Sequence, residues 1–149
     1  MRQALRLAGK AAARGEVPVG ALVVQEPGGK VLARAHNSTE SKADPTGHAE
    51  IAVLRRASRR LGRWRLSDCV LVATLEPCAM CAGAAVWARI GRIVYGADDP
   101  KAGACGSVLD VAQNLRLNHR PSLSRGVLAA ECGKVLTEFF RQRRRKPRD

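Results

Sequence analysis

Aromatic side chains are scarce in this chain: two Trp, two Phe and one Tyr among 149 residues, or 3%. An aromatic-filled core is excluded, and packing must rest mostly on Ala, Val and Leu. Hydrophobic residues still make up 46% of the sequence, which suits a globular protein and argues against disorder. No apolar run approaches the roughly 20 residues of a membrane span, so no membrane partner is expected. Acids are few as well. Thirteen Asp and Glu stand against 26 Lys and Arg, 20 of them Arg, giving a formal net charge of +13. Such a surplus favours a polyanionic partner, because phosphates neutralised by basic side chains release their counterions. The plainer alternative is an Arg-rich composition that merely keeps the chain soluble.

Five cysteines cannot all pair with one another, and two of them stand in C-x-x-C, at Cys78 and Cys81. That usage points to metal or redox chemistry in a reducing compartment rather than to a disulfide framework. Residues 1–14 contain no acid and are rich in Ala and Arg, as organellar transit peptides are. However, Leu5, Ala8 and Ala12 share one helical face and the run feeds directly into a strand. A structural first helix and a cytoplasmic location are therefore expected.

With no repeat or linker, 149 residues predict a single domain with one core. Residues 2–14 read as a helix stopped by Gly15 and Pro18. Residues 19–25 and 31–35 read as strands joined across Pro27-Gly28-Gly29 into a hairpin. Residues 36–46 are polar and loop-like, with Asp44 and Thr46 as candidate caps of a helix over 47–61. Residues 69–75 form a continuous apolar strand of the kind buried on both faces. Pro77 suits a first helical position, and residues 78–89 form a helix of small side chains. Residues 92–95 make the next strand, and 96–107 a long Gly-rich charged loop. A short helix over 108–114, a weak strand ending at Val127 and Leu128, and a last helix over 129–145 complete the chain. A hairpin followed by alternating strands and helices gives a three-layer α/β domain with a mixed five-stranded sheet.

The chemistry lies in two short runs, His48-Ala49-Glu50 and Pro77-Cys78-Ala79-Met80-Cys81. One imidazole and two thiolates are one ligand short of a closed zinc tetrahedron, and a catalytic zinc keeps that fourth position for water. Cys78 and Cys81 lie three residues apart on a helix, so their sulfurs share one side near its positive N-terminus, which favours thiolates. His48 begins another helix, with Glu50 in its first turn. Zinc lowers the pKa of its water toward neutrality, making hydroxide available. Glu50 beside it can carry protons from water to a ring nitrogen and to a departing amine. Either half alone is weak; together, H-x-E followed 30 residues on by P-C-x-x-C is the signature of zinc nucleobase deaminases. The structural alternative is a closed zinc site with a fourth ligand from Cys69, Cys105, Cys132, His36 or His119. Cys69 and Cys132 fit better as small core residues.

Beyond these motifs the chain resembles the bacterial tRNA-specific adenosine deaminases of the cytidine deaminase-like superfamily. The shared stretches include Glu16-Val17-Pro18-Val19-Gly20-Ala21, Ala35-His36-Asn37, the run from Asp44 to Glu50, and the run from Thr74 to Gly83. Tyr95-Gly96-Ala97-Asp98-Asp99-Pro100-Lys101, Gly106-Ser107, Asn118-His119-Arg120 and Phe139-Phe140-Arg141 continue the likeness. The resemblance implies an α/β/α cytidine deaminase-like fold, a homodimer, and one Zn2+ per subunit held by His48, Cys78 and Cys81, with Glu50 as proton shuttle. It implies hydrolytic conversion of adenosine to inosine at the wobble position of a tRNA anticodon, chiefly an arginine tRNA. Asn37 would contact the flipped base and Asn118 the anticodon loop, while Asp99 and Lys101 lie in a loop bordering the substrate. Phe139, Phe140 and Arg141 match a helix segment near the anticodon nucleotides.

Two departures stand out. Gly47 replaces a frequent Ala and is expected to loosen the turn before His48, and the short N-terminus is compatible with an upstream start. Adjacent in a helix, Phe139 and Phe140 cannot share a face, so one is expected in the core. Trp87 is either an interface anchor or ordinary core. The basic tail from about 141 reads equally as a solvated end or a phosphate-gripping one. The rivals are a deaminase of free nucleosides or bases, and a non-catalytic RNA-binding module with structural zinc.

Overall fold

A computed structural model describes residues 1–145; the end of the basic tail, residues 146–149, lies outside the described residues. The chain runs α1 (Arg2–Ala13), β1 (Gly20–Gln25), β2 (Lys30–His36), α2 (Thr39–Lys42), α3 (Ala49–Leu61), β3 (Cys69–Leu75), α4 (Ala79–Trp87), β4 (Arg92–Ala97), β5 (Ser122–Ser124) and α5 (Ala129–Arg145). The five strands form one mixed sheet in the order β2-β1-β3-β4-β5. β1 is antiparallel to both β2 and β3, whereas β3, β4 and β5 are parallel.

Period-two alternation makes the layers. Ala21, Val23, Leu71, Ala73, Ile93 and Tyr95 point to one face, where α3 and α4 bring Val53, Leu54, Ala57, Ala82 and Ala85. Leu22, Val70 and Val72 point to the other, against Ala4 and Leu7 of α1. α5 covers β3 and β4 beside α1. The poverty in aromatics is met by close approach rather than by volume. Ala4, Ala8 and Ala11 of α1 are fully buried, and at Gly20 a Cβ would sit 2.0 Å from the Ala4 carbonyl oxygen. α5 docks on β4 in the same way, with the Cys132 sulfur 2.3 Å from where a Cβ on Gly96 would lie.

The outer edge of β2 is not left bare. Arg56 and Arg60, one turn apart on α3, donate to the carbonyls of Arg34 and Leu32, the latter at 3.0 Å.

Four sequence expectations change. α2 lies inside the stretch expected to be loop. Residues 108–114 are not helical, because Val108 and Leu109 donate to the Gly103 carbonyl and Asp110 bridges Cys105, which commits the backbone to a loop. The last strand is Ser122–Ser124, paired to Arg92–Val94; Val127 and Leu128 instead form the turn into α5, with Gly126 and Leu128 at φ 81° and 52°. Asp44 and Thr46 do not cap α3. Asp44 Oδ1 accepts from the Thr46 N–H and hydroxyl, and His48 takes the cap position.

Candidate active site

α3 and α4 begin at the same end of the sheet, and their N-cap residues are His48 and Cys78. Pro77 therefore precedes the cap instead of opening the helix. Neither cap side chain bonds to its own helix, because both face a common point. His48 Nδ1 lies 3.6 Å from Cys78 Sγ and 3.4 Å from Cys81 Sγ, and the three donor atoms all lie within 4.8 Å of one another. Bonds of about 2.0 Å to nitrogen and about 2.3 Å to sulfur at tetrahedral angles separate N and S by roughly 3.5 Å. The donor set and its spacing thus fit zinc. Among the described residues no fourth Cys, His or acid joins the group, so the closed site with Cys69, Cys105, Cys132, His36 or His119 is not assembled.

The three side chains share protons among themselves. The Cys78 thiol is drawn down to about 4, first by its hydrogen bond with Cys81 and then, against burial, by His48. Cys81 is raised, first because it donates to Cys78 and then by burial. His48 is raised, chiefly by its bond to Cys78. Glu50, in the first turn of α3, is 4% exposed. Burial pushes its carboxyl up to about 7, and its Oε2 is buried with no hydrogen-bond partner. A buried oxygen of that kind needs a ligand or a proton.

A cavity of about 300 Å³ opens on this group, lined by His48, Glu50, Cys78, Asn37, Asp99 and Ala102 among others. Asn37 is buried and its Oδ1 accepts from the Ala49 N–H at 2.9 Å. Its amide is oriented by α3, and the NH2 is what it can still offer. Asp99 Oδ1 accepts from the N–H groups of Lys101 and Ala102, an Asx turn in the cavity wall. A wider groove of about 510 Å³ shares Val17, Leu75 and Asp99 with this cavity and adds Lys101, Phe140 and Arg144. Phe139 is half-buried, edge-on to Phe140 at 5.4 Å. Phe140 is exposed, so neither ring is in the core. Arg141 is exposed and lines neither cavity. Asn118 also lies outside both, held by Arg89 Nη1 at 2.7 Å.

The turn before His48 is tight, not loosened. A Cβ on Gly47 would stand 3.0 Å from the carbonyl oxygens of Asp44 and Ser38. Trp87 is surface, 76% exposed, beside Trp64.

Two residues escaped sequence reasoning. Glu16 and Glu76 are buried carboxylates in the cavity lining. Burial alone would raise both. Hydrogen bonds from Ser41 and Glu40 to Glu16, and from Ser107, Asp99 and Cys105 to Glu76, outweigh it and leave both lowered. The available signal was position: an acid directly after a helix-ending Gly15, and one closing an apolar strand, are places where carboxylates are rarely spent without partners. Cys105, unplaced by sequence, is buried with its N–H on Glu76 Oε1 at 3.0 Å.

The family model for MafB19-like deaminases matches residues 1–144. The tRNA-specific adenosine deaminase of Bacillus subtilis is 45% identical over 146 residues, 98% of this chain and 89% of that one. A tRNA(Ile)-lysidine synthase of Deinococcus radiodurans is 50% identical over the whole chain, which spans only 25% of its length. A solved structure from studies of A-to-I editing by tRNA:A34 deaminases at the wobble position is 44% identical, with a TM-score of 0.87 over 91% of this chain and 97% of that one.

Proposed function

This chain belongs to the MafB19-like deaminases and to the tRNA-specific adenosine deaminase family, and from that premise we propose that it hydrolytically deaminates adenosine to inosine at the wobble position of a tRNA anticodon. The observation that carries the reading is the buried, unpartnered Glu50 Oε2 beside a three-donor group at zinc spacing. An arginine tRNA is the expected substrate.

His48, Cys78 and Cys81 would hold one zinc per subunit. When bound, zinc supplies Lewis acidity that brings a water's pKa toward neutrality. Glu50 moves the protons. Its Oε2 accepts one from the attacking water, delivers it to N1 of the adenine ring as the oxygen adds to C6, and passes the second to the departing amine. Water and adenosine become inosine and ammonia. Burial raises its carboxyl, which suits a group that must both take and give a proton.

Substrate recognition is assigned to the surroundings. Asn37, held through its oxygen, directs its NH2 at an acceptor on the flipped base. Asp99, Lys101 and Phe140 line the groove that continues from the cavity, suited to flanking nucleotides whose unstacked bases can be gripped by stacking and edge contacts. Phe139, Arg141 and Asn118 lie farther out, where contacts with the rest of the anticodon loop would fall. The whole chain acts as one deaminase domain in the cytoplasm; no helix among the described residues is long and apolar enough to cross a membrane. A homodimer is supported by the groove of Ile51, Leu54, Trp64, Ala84, Trp87 and Ala88, edged by Arg55, Ser58 and Arg59, which a second copy of α3 and α4 would cover.

The test is incubation with an arginine anticodon stem-loop bearing adenosine at the wobble position and, separately, with free adenosine, cytidine and guanine. Deamination of the stem-loop is expected, and turnover of free nucleosides or bases alone overturns the reading. Glu50→Ala should keep its zinc, measured by metal analysis, and lose about 10²–10⁴ in rate. Cys78→Ser should lose the metal itself. If the two variants behave alike, the division of roles is wrong.

A further inference from the structure

Two carboxylates that the proton transfers do not use flank the candidate cavity. Glu16 and Glu76 are each only 1% exposed, and neither forms an ion pair among the described residues. Buried charge is costly unless hydrogen bonds replace its water. Here the replacement comes from the backbone of the cavity rim. Glu16 accepts from the N–H groups of Ser41 at 2.7 Å and Glu40 at 3.1 Å. Glu76 accepts from the N–H groups of Asp99 at 2.9 Å, Cys105 at 3.0 Å and Ser107 at 3.1 Å, and from the Ser107 hydroxyl.

The segment held by Glu16 has few other anchors, whereas the loop held by Glu76 also reaches the core through buried Gly103, Ala104 and Cys105. α2 is four residues long with none buried, far below the length at which a helix is stable by itself. In the loop that brings Asp99 and Ala102 to the cavity, Asp98, Pro100, Lys101 and Ala102 are exposed. That loop wraps the Glu76 carboxylate so closely that a Cβ on Gly103 would lie 2.4 Å from its Cδ. It is also joined to the first Cys of the motif, through Ala104 N–H on the Pro77 carbonyl at 2.8 Å and a bridge between Gly103 and Cys78.

We infer that Glu16 and Glu76 are positioning residues which fix the two opposite walls of the cavity, Glu16 the side of Thr39 and Glu40, Glu76 the side of Asp99 and Ala102. Each acts through backbone amides rather than by touching substrate. The inference rests on the reading of this cavity as the substrate site. It makes the spacing of the walls, and so the fit of the flipped nucleotide, depend on two charges outside the reaction.

The experiment compares Glu16→Gln, Glu76→Gln and the milder Ser107→Ala with wild type, all zinc-loaded, by amide hydrogen exchange, zinc content and kinetics on the wobble-adenosine stem-loop. Exchange in Glu16→Gln should quicken at least tenfold at residues 40–41 and leave 99–107 unchanged; Glu76→Gln should do the reverse. Zinc content should stay at one per chain. kcat/KM should fall about ten- to a hundredfold, the scale of a wall displaced by about 1 Å, mainly through KM. Ser107→Ala, which removes one donor from an exposed position, should show the Glu76→Gln pattern at smaller size and remains informative if Glu76→Gln fails to fold. Unchanged protection, acceleration spread evenly over the chain, or a loss confined to kcat overturns the inference. A wild type inactive on the stem-loop would sink the functional reading alone, since the exchange pattern is read independently of turnover.

Discussion

Replacing Gly20 with Ala tests how the first layer is packed. Gly20 opens β1 beneath α1, and a Cβ there would stand 2.0 Å from the Ala4 carbonyl oxygen, 2.8 Å from the Ala8 nitrogen and 2.8 Å from Leu7 Cβ. Two of these are backbone atoms of a helix, so no side chain can swing aside. Ordinary contact needs about 3.4 Å, and α1 must withdraw by more than 1 Å at its tightest point. Withdrawal loosens Ala4, Met1 and Leu7 against Leu22, Val70 and Val72. Overpacking of this kind costs about 1–3 kcal/mol. A rigid obstacle places it at the upper end, and the stiffer unfolded chain returns about 0.4–1 kcal/mol. A net loss of about 2 kcal/mol follows, or roughly 4–8 °C in Tm for a domain of this size. Gly9→Ala is the matched control. Gly9 lies in the interior of the same helix with nothing within 4 Å of a new Cβ, so helix propensity alone acts, adding roughly 0.5–1 kcal/mol. Thermal and urea unfolding of the two single variants should therefore shift in opposite directions. Shifts of the same sign, or a Gly20→Ala protein that melts with wild type, would refute the packing argument.

Three further outcomes can be checked. Asp68 is held down to about 2 by hydrogen bonds from Gln25 and Arg63; a depressed carboxylate stabilises above its unfolded pKa near 4 and loses that contribution as pH falls toward 2. Asp68→Asn should be less stable than wild type at pH 7 by under about 1 kcal/mol, the pair being partly exposed, and should converge with it near pH 2 in urea titrations. Asn37→Asp keeps an acceptor for Ala49 but loses the NH2 donor and buries a carboxylate in the cavity that Glu50 lines, so KM for the stem-loop should rise and stability should fall as well; Asn37→Ala should lose about 1 kcal/mol of stability. Trp87→Glu should shift sedimentation equilibrium toward monomer without changing the far-ultraviolet spectrum of the subunit.

What the sequence made legible follows from how local each signal is. β3 and α5 were bounded to the residue because their limits are set by runs of one character: six apolar positions out of seven in one case, a long amphipathic stretch in the other. The donor group was legible because a metal demands particular atoms, and His48, Cys78 and Cys81 could be read without knowing how α3 and α4 meet. The misses arose where a distant partner decides the backbone. Residues 108–114 carry helix-like apolar positions, yet the N–H groups of Val108 and Leu109 are spent on Gly103 and those of Val111 and Ala112 on Ala104. Ser122–Ser124 has poor strand propensity and is drawn into the sheet by the exposed edge of β4. Asp44 looked like a cap because its side chain does bond a local N–H, but in a turn four residues before the true cap, His48. Glu16 and Glu76 were quoted within motifs and assigned nothing, since nothing within a few residues of either reveals the amides that reach them from 23 to 31 positions away.

The arginines on α3 that reach β2 alter how the charge of this protein should be counted. A guanidinium lying on the carbonyls of Arg34 or Leu32 is serving as the missing neighbour of an edge strand, a row of acceptors that would otherwise invite another chain to pair. Arg56 and Arg60 are thus engaged by the molecule itself before any polyanion arrives. The surplus of 13 positive charges is thus a net figure and not a count of phosphate sites, and the steepness with which salt would weaken the proposed RNA binding, about 0.7 logarithmic units per phosphate neutralised on a single strand, should count only the basic side chains free to reach a phosphate. Part of the arginine content keeps the sheet closed.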